Sequence, residues 1–338
     1  MKIYSNYSLK KHNTFGLDIS CKYYVEIKKD YEIQQLLSEV QYKEVPKLII
    51  GSGSNILFTQ DFKGLVINQI SNKIFISSED ENHAFVSAEA GVIWHDLVRF
   101  CINNNFGGIE NLSLIPGKVG AAPIQNIGAY GQELKDVFYS LSGIYIDDLK
   151  ALNFNYTECD FGYRDSIFKR ELKNKFIITQ VTLRLDNTPK LNTKYDSIEE
   201  ELSKLKKNNF TIKDVSDIIC KIRMSKLPDP DKLGNAGSFF KNPEISIKKY
   251  DSIKSKFGTI PGHKISEQII KVPAAWLIEK CGFKGKRFGK VGVHERQALV
   301  IVNYGNGKPE EIIELKNKIK EEVQLLFEIE LHEEVNII

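Results

Sequence analysis

The sequence of 338 residues lacks long apolar runs, paired cysteines and blocks of like charge. No run approaches the roughly 18 apolar residues of a membrane-spanning helix, and the first residues, MKIYSNYSLKKHNTFG, lack the apolar stretch of a signal peptide. The 5 cysteines are odd in number, widely spaced and free of any CxxC pair, which argues against a disulfide framework or a zinc ribbon. We therefore expect a protein of the reducing cytoplasm with no membrane partner.

Charge and histidine spacing argue against two further classes of protein. The 47 basic and 44 acidic residues give a formal net charge of +3 without a long single-sign block, so no nucleic-acid partner is expected. The 6 histidines show neither HExxH nor another paired spacing, so no metal site is expected. The composition, with 42% apolar and 27% charged residues, is typical of a globular protein, and an anionic small molecule stays open as a ligand.

Hydrophobic periodicity predicts an α+β first half. A helix is expected behind Asp30, which would cap it, because apolar residues recur there at helical spacing. These residues are Ile33, Leu36, Leu37 and Val40. Runs typical of strands lie at 47–50, 64–70, 73–78, 84–90 and 175–185. A second amphipathic helix is predicted from Trp94, Leu97, Val98, Cys101 and Ile102.

The second half is predicted to begin after a polar crossover. With 338 residues the chain is long enough for two or three domains, and the polar stretch 186–213 suggests a boundary near 187. The elements predicted beyond it are a helix at 215–222 stopped by LPDP, a helix near 273–281 ended by Gly282, a strand near 298–303 and a long helix from Pro309. The apolar face of the last helix would consist of Ile312, Leu315, Ile319, Val323 and Leu326.

The segment GSGSN at 51–55 is the first candidate for binding chemistry. It follows an apolar strand directly, and its small residues let backbone N–H groups approach phosphate oxygens. It matches neither GxGxxG nor GxxxxGK[ST], so the Rossmann and P-loop interpretations lose their main support. A pyrophosphate cradle and a plain turn both stay open for this segment.

A second glycine-rich stretch lies at 116–131. It belongs to GGIENLSLIPGKVGAAPIQNIGAYG at 107–131, which is too apolar for a flexible linker, so we expect an ordered loop packed on a flat surface. Gln125 and Asn126 carry amide groups that can hydrogen-bond the edge of a ring. Two such loops about sixty residues apart suit a dinucleotide, although a purely structural loop stays open.

Three positions carry side chains suited to an anionic substrate. Arg164, in FGYRDSIF, can hold a carboxylate bidentately or form a structural pair with Asp165. Ser238, in GNAGSFFKNP, is expected to display its hydroxyl at a tight turn, and the absence of GxSxG disfavours a hydrolase. Glu333 and Glu334 follow the last helix, where a carboxylate is usually exposed to solvent.

At these residues the chain resembles the UDP-N-acetylenolpyruvoylglucosamine reductases, flavoenzymes that complete the synthesis of UDP-N-acetylmuramate. The resemblance runs nearly end to end and is carried by NTFG, GSGSNILF, NLSLIPGKVGAAPIQNIGAYG, FGYRDSIF, KLPDP, GNAGSFFKNP, AAWLIEKCGFKG, VHERQALV and a final EV. It implies an α+β fold with a two-part FAD-binding domain of the vanillyl-alcohol and cresol oxidase type at 1–187. A crossover with a substrate loop would follow at 188–213, and a smaller substrate-binding domain at 214–338.

The resemblance also implies an activity. NADPH, through non-covalently bound FAD, would reduce the enolpyruvyl double bond of UDP-N-acetylglucosamine enolpyruvate in peptidoglycan synthesis, and the two substrates would use the site in turn. Arg164 and a protonated Glu334 would stabilise the negative charge that develops at the substrate carboxylate. Ser238 would donate a proton to the neighbouring carbon. We expect the enzyme to be monomeric.

Two sets of binding residues follow from the resemblance. The implied FAD contacts are Gly51, Ser52, Gly53, Ser54, Asn55, Pro116, Gly117, Gly120, Ala122, Gln125, Asn126, Gly128, Tyr163 and Arg223. The implied UDP-sugar contacts are Tyr195, Lys226, Asn242, Lys284 and Gln297, with the lysines as charges for its pyrophosphate. Tyr195 is similar to the tyrosine of a subclass in which a loop folds over the substrate and excludes water.

The chain departs from the family pattern near its last residues. Some relatives have Glu-Pro-Glu-Val, whereas this chain has His332, Glu333, Glu334 and Val335, so Glu334 aligns but Glu333 stays open as the catalytic carboxylate. Insertions around 284–290 leave open which basic residues align with the substrate contacts of the family.

The alternative functions are another FAD oxidoreductase of the superfamily, acting on an alcohol or hydroxy acid, and an inactive binding protein. An alcohol or hydroxy-acid oxidoreductase would not account for the GNAGSFFKNP segment. An inactive binding protein would not account for the presence of all three catalytic residues.

Overall fold

The structure is a computed structural model that describes residues 1–205 and 207–338. Its α-helices are α1 (Asp30–Ser38), α2 (Val40–Lys43), α3 (Trp94–Asn103), α4 (Asp196–Ser203), α5 (Ile212–Lys226), α6 (Ile247–Phe257), α7 (Ala274–Lys280) and α8 (Pro309–Phe327). Its strands are β1 (Ile3–Ser8), β2 (Ser20–Ile27), β3 (Lys47–Ile50), β4 (Ile56–Leu57), β5 (Phe62–Gln69), β6 (Ile74–Glu79), β7 (His83–Glu89), β8 (Gly128–Ala129), β9 (Gln132–Glu133), β10 (Phe138–Tyr145), β11 (Ala151–Asn155), β12 (Phe176–Asp186), β13 (Gly234–Ser238), β14 (Glu244–Ser246), β15 (His263–Lys264), β16 (Ile269–Lys271), β17 (Arg287–Phe288), β18 (Val291–Val293), β19 (Val300–Asn303) and β20 (Asn336–Ile337). Short 3₁₀ turns lie at Lys10–His12, Glu110–Leu112, Val119–Ala121, Leu134–Asp136 and Ile167–Lys169.

The described residues form two compact units, each made of separate stretches of the chain. The first unit consists of Met1–Tyr7, Cys21–Ser52 and Phe62–Ser225. The second consists of Ser8–Ser20, Gly53–Asp61 and Lys226–Ile338. Most of α5 thus lies in the first unit, although the sequence suggests that this helix opens the second domain. The domain ranges 1–187, 188–213 and 214–338 stay a prediction, because compactness alone does not define a functional domain.

One sheet of the first unit has the strand order β1-β2-β5-β3, and β2, β5 and β3 are parallel. Helix α1 buries Ile33, Leu36 and Leu37, as predicted. Asp30, however, is its first helical residue and Lys29 its N-cap, because the Glu32 carboxylate accepts the backbone N–H of Lys29 at 2.9 Å. The prediction that Val40 shares the buried face is wrong, since α1 ends at Ser38 and Val40 is 86% exposed.

The other large sheet of the first unit is antiparallel, with the order β11-β10-β12-β7-β6. The strands expected at 73–78, 84–90 and 175–185 are confirmed as β6, β7 and β12. Helix α3 buries Trp94, Leu97, Val98 and Cys101 as predicted. The 107–131 segment packs against β7 and β12 and buries Ile109, Leu112, Val119, Ala122 and Ile127. The expectation of an ordered loop on a flat surface is confirmed.

The polar segment 186–213 contains a helix that the sequence pattern does not predict. Ile198 and Leu202 of α4 are buried together with Val215 and Ile219 of α5. Two apolar residues four positions apart form one stripe on a short helix, which is too little for periodicity to reveal. The segment therefore contains a helix that packs against α5 and is not only a crossover.

The second unit contains a four-stranded sheet ordered β13-β19-β18-β17, a three-stranded sheet ordered β14-β16-β15 and the parallel pair β20-β4. Helix α7 is followed by Gly282 with φ +75°, which confirms the predicted glycine stop. Helix α8 buries Ile312, Leu315, Ile319 and Val323 as predicted. Leu326 is instead 42% exposed and Phe327 is buried, because Phe327 lies four residues beyond Val323 on the same face. Among the described helices, none combines the length and hydropathy needed to cross a bilayer.

Candidate functional site

Part of the 51–55 segment meets the second glycine-rich stretch within the first unit. A Cβ placed on Gly51 would lie 3.5 Å from the Lys118 Cβ and 3.7 Å from the Ala121 Cβ. Gly120 donates its N–H to the Ala90 carbonyl at 3.0 Å, and a Cβ on Gly120 would lie only 2.6 Å from the Ala90 Cβ. A larger side chain at Gly120 would therefore displace the loop from the end of β7.

From Gly53 onward the same segment belongs to the second unit. Gly53 has φ +64°, and a Cβ there would lie 2.0 Å from the carbonyl oxygen of His12. The Gly53 carbonyl accepts hydrogen bonds from the N–H and the hydroxyl of Thr14, at 3.1 and 3.2 Å. Glycine is thus required at 53 both by the dihedral angle and by the close approach to residues 12–14.

Arg164 lies at the tip of a tight turn that Asn126 anchors. Gly162 and Asp165 exchange backbone hydrogen bonds of 3.0 and 3.3 Å, and the Asn126 side-chain amide donates to the Gly162 carbonyl at 2.9 Å. Arg164 itself has φ +54°, an uncommon conformation for a residue other than glycine. Its guanidinium donates to the carbonyl oxygen of Gly128. The arginine is therefore oriented by the 116–131 loop.

Two further contacts define the surroundings of Arg164. Its guanidinium carbon lies 5.5 Å from the centroid of the Tyr163 ring, within the range of a cation–π contact. Asp165, the structural partner that the sequence left open, forms its ion pair with Arg170. The half-buried guanidinium is thus held by a ring and a carbonyl oxygen, and the Asp165 carboxylate is engaged elsewhere.

Tyr130, a residue outside the predicted site, links two predicted binding residues. Its ring meets the Tyr195 ring edge-on, with centroids 5.3 Å apart. Its hydroxyl is hydrogen-bonded with Arg223, and burial raises the pKa of Tyr130. Burial also lowers the pKa of Arg223, whose Nε donates to the Leu114 carbonyl at 3.3 Å. In the sequence, Tyr130 could have been identified as the one aromatic residue among the small residues of GAYG.

Leu114 also connects Arg223 to His95. The backbone N–H of Leu114 donates to His95 Nδ1 at 3.0 Å, which requires that nitrogen to be unprotonated. Burial, reinforced by the charge of Arg99, lowers the pKa of His95. Leu114 has φ +58°, so these two hydrogen bonds hold its backbone in an uncommon conformation.

Lys118 is a second residue that the sequence did not single out. Its ammonium donates to the Asn68 side-chain oxygen and the Gln69 carbonyl, each at 2.7 Å. Burial lowers the pKa of Lys118, although the nearby Glu26 opposes this. Lys118 thus ties the 116–131 loop to the end of β5.

In the second unit, Ser238 and Glu334 are joined through the backbone. The pairing of β13 with β19 shifts register between Asn235 and Ser238, where Gly237 has φ +70°. This bulge turns the end of the strand that carries Ser238. The Glu334 N–H donates to the carbonyl of Phe239 at 2.8 Å, one residue beyond Ser238.

Glu333 makes contacts that differ from those of Glu334. The Glu333 carboxylate lies 3.2 Å from the ammonium groups of both Lys316 and Lys320 on α8. Burial acts to raise the pKa of Glu333, but hydrogen bonds from its backbone and from the two lysines outweigh burial and lower it. An ionised Glu333 that is paired with two lysines is poorly suited to meet an anionic substrate.

The predicted UDP-sugar residues of the second unit are engaged locally or exposed. Asn242 accepts a backbone hydrogen bond of 2.9 Å at the start of α7, and Gln297 accepts one of 3.3 Å from its own turn. Lys284 lies 3.0 Å from both carboxylate oxygens of Glu279, and Lys226 is exposed. Within the described part of the chain, no hydrogen bond joins these four predicted side chains to one another.

Two positions of the glycine-rich segments accept only glycine. A Cβ at Gly53 or Gly120 would crowd neighbouring backbone or Cβ atoms, whereas a Cβ at Gly51 would make ordinary van der Waals contact. In residues 1–205 and 207–338, no trio of histidine, cysteine or acidic side chains is arranged to hold a metal ion. The compact glycine-rich turns are compatible with an organic dinucleotide cofactor.

Known proteins resemble both halves of the chain. The family model described as FAD binding domain matches residues 21–144, and the model described as UDP-N-acetylenolpyruvoylglucosamine reductase, C-terminal domain, matches residues 229–338. Curated proteins named UDP-N-acetylenolpyruvoylglucosamine reductase are 47% identical in Flavobacterium johnsoniae and in Amoebophilus asiaticus, and each alignment covers 100% of both chains. The solved UDP-N-acetylenolpyruvylglucosamine reductase of Thermus caldophilus is 21% identical, with a TM-score of 0.68 over 99% of this chain and 98% of that one. This last likeness shows the same fold.

Proposed function

Because the chain belongs to the family of UDP-N-acetylenolpyruvoylglucosamine reductases, we propose that it reduces UDP-N-acetylglucosamine enolpyruvate to UDP-N-acetylmuramate. FAD is the cofactor, NADPH the co-substrate, and the product serves peptidoglycan synthesis. The observation that carries this conclusion is 47% identity to the reductases over the whole chain. The match of residues 229–338 to the reductase C-terminal domain disfavours an alcohol or hydroxy-acid oxidase.

Arg164 is assigned to the substrate carboxylate. When bound, FAD supplies the hydride that originates from NADPH. As the hydride adds to one carbon of the double bond, negative charge moves toward the carboxylate, and a guanidinium already oriented by Gly128 and Tyr163 can stabilise it without reorganising. Charge stabilisation by a fixed cation is most effective where water is excluded.

Ser238 and Glu334 complete the proposed catalytic set. Ser238 donates its hydroxyl proton to the second carbon, so that hydride and proton convert the double bond into a single bond with two new C–H bonds, and the serine oxygen then regains a proton from solvent. A neutral Glu334 carboxyl would assist Arg164 at the developing charge. The hydrogen bond between the Glu334 N–H and the Phe239 carbonyl supports joint action, because it ties the backbone of Glu334 to that of Ser238.

The binding residues proposed for FAD are those of the two glycine-rich segments, with Tyr163 and Arg223. Gly53 and Gly120 support this assignment by their close packing. The side chain of Asn126 bonds to Gly162 and Glu133, so this residue supports the proposed FAD site by holding the turn that carries Arg164.

The UDP-sugar is assigned to Tyr195, Lys226, Asn242, Lys284 and Gln297. Lys226 presents an exposed ammonium, and Lys284 can exchange the Glu279 carboxylate for a phosphate. Tyr195 is 50% exposed and lies beside Tyr130 before α4, which suits a ring that covers a bound nucleotide.

A test of the function begins with the purified protein. We expect a yellow protein that releases about one FAD per chain on acid precipitation and oxidises NADPH over many turnovers only when the enolpyruvyl UDP-sugar is present. A colourless protein that FAD does not reconstitute, or NADPH oxidation that ignores the sugar nucleotide, would contradict the proposal. Flavin reduction by simple alcohols or hydroxy acids would favour the alternative oxidase.

We further propose that the enzyme acts in the cytoplasm as a monomer, without a nucleic-acid or membrane partner. The mixed surface charge, with a formal net value of +3, supports this, and the 5 cysteines give no disulfide framework. Sedimentation velocity at micromolar concentration should give a single species near 38.6 kDa. A stable dimer would refute the monomer assignment alone.

A further inference from the structure

The last five residues lie along segment 55–59 within the second unit. Strand β20 pairs in parallel with β4, and the Thr59 N–H and hydroxyl both donate to the Ile338 carbonyl, at 2.7 and 2.8 Å. Val335 and Leu57 are buried, with 4% and 0% exposure. The segment 334–338 is therefore a fixed element of the unit and not a free tail.

Glu334 is held from two sides by this arrangement. Its N–H donates to Phe239, and its carbonyl accepts the side-chain amide of Asn55 at 3.2 Å. Two residues further on, the backbone N–H and the side-chain amide of Asn336 both donate to the Asn55 carbonyl, each at 3.0 Å. The backbone of Glu334 thus connects the serine strand to the GSGSN segment.

The side-chain nitrogen of Asn336 donates to the Asn55 carbonyl, so the contact that the structure shows for this side chain is with the main chain of segment 55–59. Side chains that act in a reaction must be held within about 0.5 Å of the productive geometry. A displacement of about 1 Å can cost about 100-fold in rate. These backbone hydrogen bonds fix the main chain from which the Glu334 carboxyl projects, and so contribute to where that carboxyl stands.

We propose that Asn336, assisted by Thr59, is a positioning residue that clamps segment 334–338 onto segment 55–59 and so holds the Glu334 carboxyl for the reaction at Ser238. This inference rests on the proposed function, in which Glu334 and Ser238 act on the enolpyruvyl group. Asn336 does not touch the substrate in this scheme. Its main effect falls on the half-reaction in which the sugar nucleotide is reduced, because the backbone N–H of Asn336 still bonds the Asn55 carbonyl when the side-chain amide is removed.

The first experiment separates the two half-reactions of Asn336→Ala by stopped flow. FAD content and flavin reduction by NADPH should stay within twofold of the unmodified enzyme, whereas flavin reoxidation by the enolpyruvyl UDP-sugar should slow by about 10-fold or more. Hydrogen exchange across 334–338 should become faster. Ile337→Ala is the matched control, because this neighbouring side chain is exposed and apolar, and it should behave like the unmodified enzyme.

A double-mutant cycle tests whether Asn336 acts through Glu334. In a Glu334→Gln background the Asn336→Ala change should cost little further rate, since the group it positions has lost its function. Equal slowing in both backgrounds would overturn the proposal and indicate a general structural role. Thr59→Val, which removes only the hydroxyl donor, should repeat the effect more weakly, and Thr59→Ser should restore the normal rate.

Different results would refute the proposed function and the positioning role of Asn336. If the unmodified, FAD-loaded enzyme is reduced by NADPH but not reoxidised by the sugar nucleotide, the proposed function is wrong. If the unmodified enzyme is active and Asn336→Ala reoxidises at the normal rate, only the positioning role is refuted.

Discussion

The backbone N–H of Glu334 donates to the carbonyl oxygen of Phe239 at 2.8 Å, directly after Ser238. An isolated β-bridge also pairs Phe240 with Glu333. Two residues that sequence reasoning assigns to one reaction therefore stand on hydrogen-bonded stretches of chain. A change in either stretch is expected to alter the placement of both side chains.

Ser238→Ala should separate the two half-reactions. The variant loses the proposed proton donor but no proposed FAD contact, so NADPH should still reduce the flavin at a near-normal rate. Reoxidation by the enolpyruvyl substrate should fall by about 10²–10⁴-fold, the usual contribution of a general acid. Ser238→Cys, which can still donate, should retain more activity. Equal slowing of both half-reactions in stopped flow would point to a structural role instead.

Glu333→Gln and Glu334→Gln should have different consequences. Glu333 pairs with Lys316 and Lys320, so its neutral variant should lose some stability while keeping near-normal turnover. Glu334→Gln should fold normally and lose orders of magnitude in reoxidation by the sugar nucleotide. Thermal unfolding and turnover, measured on the same preparations of both variants, decide which glutamate serves stability and which serves the reaction. The reverse pattern would assign the chemistry to Glu333.

Gly53→Ala and Gly16→Ala form a matched pair, because both glycines have positive φ. At Gly16 a Cβ would meet no neighbouring atom within 4 Å, so alanine should cost only the dihedral strain of about 1–2 kcal/mol. At Gly53 the added Cβ would lie 2.0 Å from the His12 carbonyl, so the loss should be larger and FAD affinity should fall as well. Denaturant unfolding measures the loss of stability, and FAD titration of the apoprotein measures the loss of affinity. Equal losses of stability in the two variants would show that the backbone near Gly53 and His12 can move apart to admit a Cβ.

Acid should destabilise the first unit partly through His95. Burial and the charges of Arg99 and Arg223 hold the pKa of His95 below 6.5, while Asp96 opposes them. The unfolded chain therefore binds this proton more readily, so the stabilisation is complete above about pH 6.5 and is lost as the pH falls toward the folded pKa. One such group changes the free energy of unfolding by at most about 1.4 kcal/mol per pH unit. His95→Asn, which can still accept from Leu114, should flatten the dependence between pH 7.5 and 5; an unchanged slope would exclude His95 as its source.

Lys226→Ala and Lys284→Ala should weaken UDP-sugar binding while leaving flavin reduction by NADPH intact. A contact made equally in the ground and transition states raises KM more than it lowers kcat. Lys232→Ala, at an exposed lysine in the same unit, serves as the control for lost surface charge. Normal sugar-nucleotide affinity in both variants would remove these lysines from the site.

Much of the local structure could be predicted from the sequence. The buried faces of α1, α3, α5 and α8 follow from apolar residues at helical spacing, and the glycines of 51–55 and 116–131 mark close backbone approaches. Both signals are local, because side-chain spacing and allowed dihedral angles depend on neighbouring residues. The errors at Asp30, Val40 and Leu326 lie at helix ends, where capping and the last turn outweigh periodicity.

Only the tertiary structure decided which of these residues meet. Asn126 is committed to Gly162, Tyr130 links Tyr195 with Arg223, and Asn336 bonds to Asn55 across 281 positions of sequence. The sequence by itself determined the family, several helices and strands, and the residue types that the chemistry needs. It left the partners open because a hydrogen-bonding side chain accepts any suitable group that folding brings within about 3 Å, and that choice depends on the packing of distant elements.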